Sequence, residues 1–160
     1  MYDDLLRIKA HREQSAGQAL RVQQRIMEQQ AQIVQQAREA AAQFHDYRLG
    51  QEQQLFAEIK GQLVILRVIE DMNRTIAMLR EQEARLQTRI VEEEKRLKAA
   101  KQALEEARQR HQATIREREK FDQFIKIRRA IELREQMMKE EDELEEIASA
   151  AYQAHRETSW

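Results

Sequence analysis

The chain has 160 residues with no proline, no cysteine and three glycines, and 36% of its side chains are charged against 5% aromatic. Lack of cysteine excludes disulfides, thiolate catalysis and cysteine-ligated metals, and fits a reducing compartment. A net charge of −1, from 28 basic and 29 acidic residues, lacks the basic excess that nucleic acid selects, so no nucleic-acid partner is expected.

Proline breaks helix interiors and glycine weakens them, so their scarcity lets helices run for most of the chain. The hydrophobic fraction of 41% is heavily alanine, which fills little core volume. A narrow seam between helices is therefore the expected mode of burial, in one coiled-coil domain over 1–160. The N-terminus has no apolar core of signal-peptide type. The longest apolar stretch, 63–69, is interrupted by Arg67 and falls far short of the about 20 residues that span a bilayer. No membrane insertion is expected, and a cytoplasmic location is.

The first arm runs from about 3 to 60. Its apolar residues Leu5, Ile8, Val22, Ile26, Ile33, Ala37, Ala40, Phe44, Tyr47, Leu55, Phe56 and Ile59 recur mostly at spacings of three, four or seven, which places them towards one helix face. Glutamine, densest over 23–36, supplies a solvated face with little charge. The seam is thin, so this arm is expected to depend on its partner.

A bend is expected over about 61–67. Gly61 can close a helix in the left-handed conformation. The apolar run that follows is expected either to pack as a cap at the bend or to begin the second helix.

The second arm, about 68–155, carries the clearest pattern. One heptad row is Ile69, Ile76, Glu83, Ile90, Leu97, Leu104, His111, Arg118 and Ile125. The other is Met72, Leu79, Leu86, Glu93, Ala100, Ala107, Thr114 and Phe121. A strict seven-residue repeat sustained this long specifies a left-handed supercoil. Glu81–Arg85, Glu92–Arg96, Glu94–Lys98 and Glu106–Arg110 stand four apart, acid first, the favourable order for helix-surface ion pairs.

Two arms joined by one short bend fold back as an antiparallel hairpin, all-α, with the C-terminal helix longer. About thirty C-terminal residues then extend past the N-terminus without a partner helix. Charge is uneven here: 108–129 holds eight basic and three acidic residues, and 132–146 holds eight acidic and two basic. An acidic block towards a helix C-terminus opposes the helix dipole.

Catalytic patterns are missing. No phosphate-binding glycine loop, nucleophile elbow or Cys/His cluster occurs. His11, His45, His111 and His155 are scattered singly, and even cross-arm approach of His11 to His111 would leave a poor metal site. No enzyme activity, cofactor or metal is expected. The segment 43–56 concentrates Phe44, Tyr47, Arg48, Leu55 and Phe56. Seam packing is the simpler reading, and a partner surface the sharper one, since Tyr and Arg are enriched at interface hot spots.

These residues carry a resemblance. Phe44-His45-x-Tyr47-Arg48-x3-Glu52-Gln53-x-Leu55-Phe56, Ile76-Ala77-x-Leu79-Arg80-Glu81-x-Glu83-Ala84 and the early Leu6–Lys9 stretch resemble the YscO family of type III secretion proteins, and more distantly the flagellar protein FliJ. Tyr47 stands where YscO-type sequences tend to carry tryptophan. The resemblance implies a central stalk of the secretion-associated ATPase, similar in shape to the rotary ATP synthase gamma subunit. It implies that the chain ends engage the hexameric ATPase ring, that the middle of the hairpin faces the membrane-embedded export gate, and that secretion chaperones are handled. Phe44, Tyr47, Arg48, Leu55 and Phe56, with Met72 and Ile76 opposite, become candidate gate or chaperone contacts. Arg7, Lys9, Arg128, Arg129 and Arg134 become candidate ring contacts by position. The chain is expected to be a monomer at the cytoplasmic face of a bacterial secretion apparatus. A parallel coiled-coil scaffold and a chaperone-like holdase using the apolar bend remain the alternatives.

Overall fold

The computed structural model describes residues 2–159. It contains two helices, α1 (Tyr2–Ile59, 58 residues) and α2 (Leu66–Thr158, 93 residues), and no strand among the described residues. They form an antiparallel coiled-coil hairpin with the C-terminal helix longer, as the heptads and the single bend predict. Contacts group the chain into two compact units, Ala16–Arg110 and Met1–Ser15 with His111–Trp160. Pairing is antiparallel within each. In the first, Arg38 meets Glu94 and Glu52 meets Arg80; in the second, Asp3 meets Arg129 and Glu13 meets Arg118.

Both heptad rows of the second arm lie in the seam, where every position except Arg118 is buried or half-buried. The first arm meets expectation in part: Ile33, Ala37, Ala40, Phe44, Leu55 and Ile59 are buried or half-buried. Leu5, Ile8, Val22 and Ile26 are exposed. The inward rows are instead Leu6, Glu13, Leu20, Met27, Val34, Ala41, Arg48, Leu55 and Tyr2, Lys9, Ala16, Gln23, Gln30, Ala37, Phe44, Gln51, all buried or half-buried. They too repeat strictly every seven residues, but so many members are polar that the apolar residues alone trace the wrong stripe. The small side chains Ala37 and Ala41 are the most enclosed, with Val34.

The bend forms where glycine allows it. Gly61 takes φ +75°, and the Gln62 amide donates to the Ile59 carbonyl at 3.3 Å, closing α1. The apolar run after it does not form a cap. Leu63, Ile65 and Leu66 are exposed, Leu63 completely, since a two-helix bend offers no third surface to cover them. Leu66 opens α2 with a tight turn in which the Val68 amide donates to the Ile65 carbonyl at 3.0 Å.

Two glycine substitutions should move stability in opposite directions. Gly61→Ala forces a side chain into the left-handed region and should cost about 1–2 kcal/mol. Gly50 lies inside α1 with open space around the position a Cβ would take. Gly50→Ala should therefore stabilise by about 0.5–1 kcal/mol. Urea unfolding followed by circular dichroism checks both signs.

At the far end of α2 the dipole conflict is avoided. The helix continues to Thr158, with His155 and Arg156 in its last turn, so the acidic block of 132–146 stands several turns inside the terminus, beyond the reach of the end charge.

Candidate interaction surfaces

Within the unit Ala16–Arg110, the seam approaching the bend carries a charged cluster. Arg48 and Glu83 occupy facing heptad rows, and the Arg48 guanidinium meets the Glu83 carboxylate through Nε as an ion pair off the hydrogen-bond line. Arg48 Nη1 also donates to Glu52 Oε1 at 2.9 Å, one turn along α1. Arg80 Nε donates to the same Glu52 oxygen from α2 at 3.0 Å. His45 Nδ1 lies 2.5 Å from Glu83 Oε1. The side chains of Arg48, Glu52 and Glu83 are only 13%, 10% and 17% exposed, whereas Arg80 is 64% exposed.

Arg48, Glu52 and Glu83 are each held more firmly in the charged form. The Arg80 bond, then that of Arg48, holds the Glu52 carboxyl below its ordinary range, against partial desolvation. His45 and then Arg48 lower Glu83 in the same way. Glu52 raises the Arg48 guanidinium. Opposed charges in facing seam rows specify a register, because a slip of one heptad would place each against an apolar neighbour.

Further along the same unit, Gln30 Nε2 donates to Glu93 Oε2 at 2.6 Å and to the Glu93 carbonyl at 3.1 Å, satisfying the buried carboxylate in the second row. Of the four expected surface pairs, Glu81–Arg85 forms at 2.9 Å and Glu106–Arg110 at 3.7 Å. Arg96 turns instead to Glu93 at 3.0 Å and Glu94 crosses to Arg38 at 2.8 Å. Partners nearer the seam replace Glu92 and Lys98.

Among the candidate gate or chaperone residues, Met72 and Ile76 are buried and Phe44 and Leu55 half-buried, so these side chains fill the seam. Arg48 is committed to Glu52 and Glu83. Tyr47 and Phe56 are exposed. Tyr47 packs at a tilt on Phe44 with ring centroids 5.8 Å apart, so a half-buried ring orients an exposed one. Phe56 lines a shallow apolar hollow with Gln53, Ala57, Ile59 and Lys60. Met78, which the pattern did not single out, is also exposed beside Thr75, Gln82 and Arg85. Its signal was its place outside both heptad rows.

The unit containing both chain ends holds the basic candidates. Lys9 pairs with Glu117 at 3.3 Å and Arg129 with Asp3 at 3.4 Å. Arg7, Arg128 and Arg134 are exposed. Glu13 and Arg118 again occupy facing heptad rows, 2.5 Å apart, and Glu13 raises the Arg118 guanidinium. Tyr2, Phe121 and Phe124 form an aromatic group, Tyr2 edgewise to Phe124 at 6.4 Å and Phe121 stacked on Phe124 at 6.1 Å. They fasten the start of α1 to α2. Past residue 125 every described residue is exposed.

No group of three or more metal-ligating side chains occurs among the described residues, and no helix is long and apolar enough to cross a membrane.

Comparison with known proteins agrees with this architecture. Residues 2–150 match the family described as "Type III secretion protein YscO". A translocation protein O of Yop proteins from Yersinia pseudotuberculosis is 31% identical over 111 residues, covering 65% of this chain and 72% of that protein. The crystal structure of type III secretion protein YscO from Vibrio parahaemolyticus superimposes with a TM-score of 0.84 at 33% identity, covering 91% of this chain and 92% of that one. A matching family over nearly the whole length, with heptad seams and one glycine bend producing the same hairpin, makes this chain a member of the YscO family of type III secretion proteins.

Proposed function

We propose that the chain is the central stalk of a bacterial type III secretion apparatus, working at its cytoplasmic face without catalytic activity of its own. It engages the hexameric secretion ATPase through the unit holding both chain ends, and meets the export gate and secretion chaperones through the unit holding the bend. The observation that best supports this is the unequal hairpin: α2 continues past the start of α1 as an exposed helix of uneven charge. A stalk seated in a ring needs a stiff rod, a polar surface that slips rather than locks, and one end unlike the other.

Ring contacts fall to Arg7, Arg128 and Arg134, with Lys9 and Arg129 tied into ion pairs beside them. Gate or chaperone contacts fall to Tyr47 and Phe56, whose exposed rings are the part of the aromatic segment left over by the seam. Phe44, Arg48, Leu55, Met72 and Ile76 support that surface from within.

ATPase assays and pull-downs with the cognate secretion ATPase, gate protein and chaperones test the division. Full-length protein should raise ATPase turnover and bind transiently. Arg128→Glu with Arg134→Glu should abolish stimulation while leaving chaperone capture intact. Tyr47→Ala with Phe56→Ala should do the reverse, weakening gate or chaperone capture by about tenfold or more, as for aromatic hot spots. No binding or stimulation by the unaltered protein would refute the stalk reading. Client capture through the exposed bend alone, surviving removal of both chain ends, would favour a holdase instead.

A further inference from the structure

The hairpin seam does not continue into the C-terminal part of α2. After Ile125, its rows would fall on Glu132, Lys139 and Glu146, and on Arg128, Glu135 and Asp142. A second heptad seam begins two residues out of step with the first. It comprises Ala130, Leu133, Met137, Leu144, Ile147 and Ala151, interrupted only by Glu140. A shift of two positions places it on nearly the opposite side of the helix from the α1 contact. Its large members Leu133, Met137, Leu144 and Ile147 are 56–65% exposed. A heptad repeat specifies burial against another helix, and α1 cannot supply that helix.

We propose that this seam pairs with the same seam of a second copy of the chain, antiparallel, with Leu133 opposite Leu144 and Ala130 opposite Ile147 of the second copy. Flanking charges select both occupant and direction. In that register Arg134 of each copy flanks the seam opposite Glu141 of the other, giving two attractive pairs about the two-fold axis. Met137 faces Glu140, whose carboxylate can reach the seam's edge. The stretch 126–134 lies along 143–151 of the other copy, so that Arg134 is the basic residue that meets the acidic block. A parallel pair would oppose Arg129 to Arg134 twice and stack Glu140 on its own counterpart. An antiparallel pair one heptad further along would set Glu141 and Glu143 each against its own copy. Only the first arrangement is free of like-charge opposition at the seam's flanks, and such flanking charges set partner and orientation in coiled coils. Since the seam faces away from α1, the second helix can extend alongside the hairpin end. Fewer than four heptads with alanine at the ends make a weak interface, so the expected monomer is the dilute form. This inference does not rest on the stalk reading, and its test uses the chain alone.

Sedimentation velocity of the full chain over a wide concentration range should show reversible association, with mass rising from monomer towards dimer. Leu144→Glu should hold it at monomer, with unchanged helical content because the site is exposed. Arg134→Glu and Glu141→Arg should each weaken association by about tenfold, and the double variant R134E/E141R should restore it. Monomer at every concentration would overturn the proposal. So would association indifferent to Leu144→Glu, which would place the contact elsewhere. Association abolished by Leu144→Glu but not restored by the double swap would mean another register or a parallel pair, and would overturn it equally.

Discussion

Leu104→Ala should destabilise the hairpin by about 2–4 kcal/mol, the usual cost of emptying a buried leucine site. Leu104 is 4% exposed and belongs to the first heptad row of α2. The inward rows of α1 are thin, with alanine, glutamine and single charges, so few large side chains carry the burial and each carries much of it. Leu63→Ala is the control. Leu63 is fully exposed at the bend, and its truncation should change stability by less than about 0.5 kcal/mol. Urea unfolding monitored at helical wavelengths separates the two. Equal effects would mean that the seam is not the principal source of stability.

The second large effect concerns the charged cluster. Glu52→Ala should destabilise far more than Arg80→Ala, although the two share a bond. Arg80 is 64% exposed and returns to water when released. Arg48 is 13% exposed, and losing Glu52 removes its aligned hydrogen bond and leaves Glu83 as its remaining counter-charge within the seam. The acid response follows from the same contacts. Glu52 and Glu83 hold their protons less readily in the folded chain than in the unfolded one. Their contribution is therefore complete above the ordinary carboxylate value of 4.5 and is lost as pH falls below it towards the lowered native values. Melting temperature should drop along this limb. Glu52→Gln with Glu83→Gln should start lower at neutral pH and show a flatter acid limb. Replacing Arg48, Glu52 and Glu83 together by leucine should recover much of the stability while loosening the choice of register.

The residues of 43–56 show why a compositional cluster divides under structure. Sequence places Phe44, Tyr47, Arg48, Leu55 and Phe56 within a few turns of one another, but a helix distributes them around its axis. Phe44, Arg48 and Leu55 fall on inward heptad rows, whereas Tyr47 and Phe56 fall outside them. The same arithmetic was available for the whole of α1, where Leu6, Glu13, Leu20, Met27, Val34, Ala41, Arg48 and Leu55 repeat every seven residues. Reading apolar residues alone conceals it. Reading charge as well reveals that Glu13 and Arg48 are matched by Arg118 and Glu83 on the partner row.

By itself, the sequence determined that this protein is two long helices with one bend. Those outcomes depend on local chemistry: proline is absent, strong helix formers dominate, Gly61 alone suits the turn, and α2 repeats large apolar residues at a strict period. Family membership was legible for the same reason, because motifs lie on these regular elements. Tertiary structure decided which stripe of α1 faces inward, leaving Leu5, Ile8, Val22 and Ile26 outside. It also decided that Glu94 crosses to Arg38, that Arg48 is bound within the seam, and that Leu63 and Ile65 have no cover. Each of these outcomes depends on a partner many residues away in the chain. Local propensity is indifferent among such partners, and only the geometry of two packed helices chooses between them.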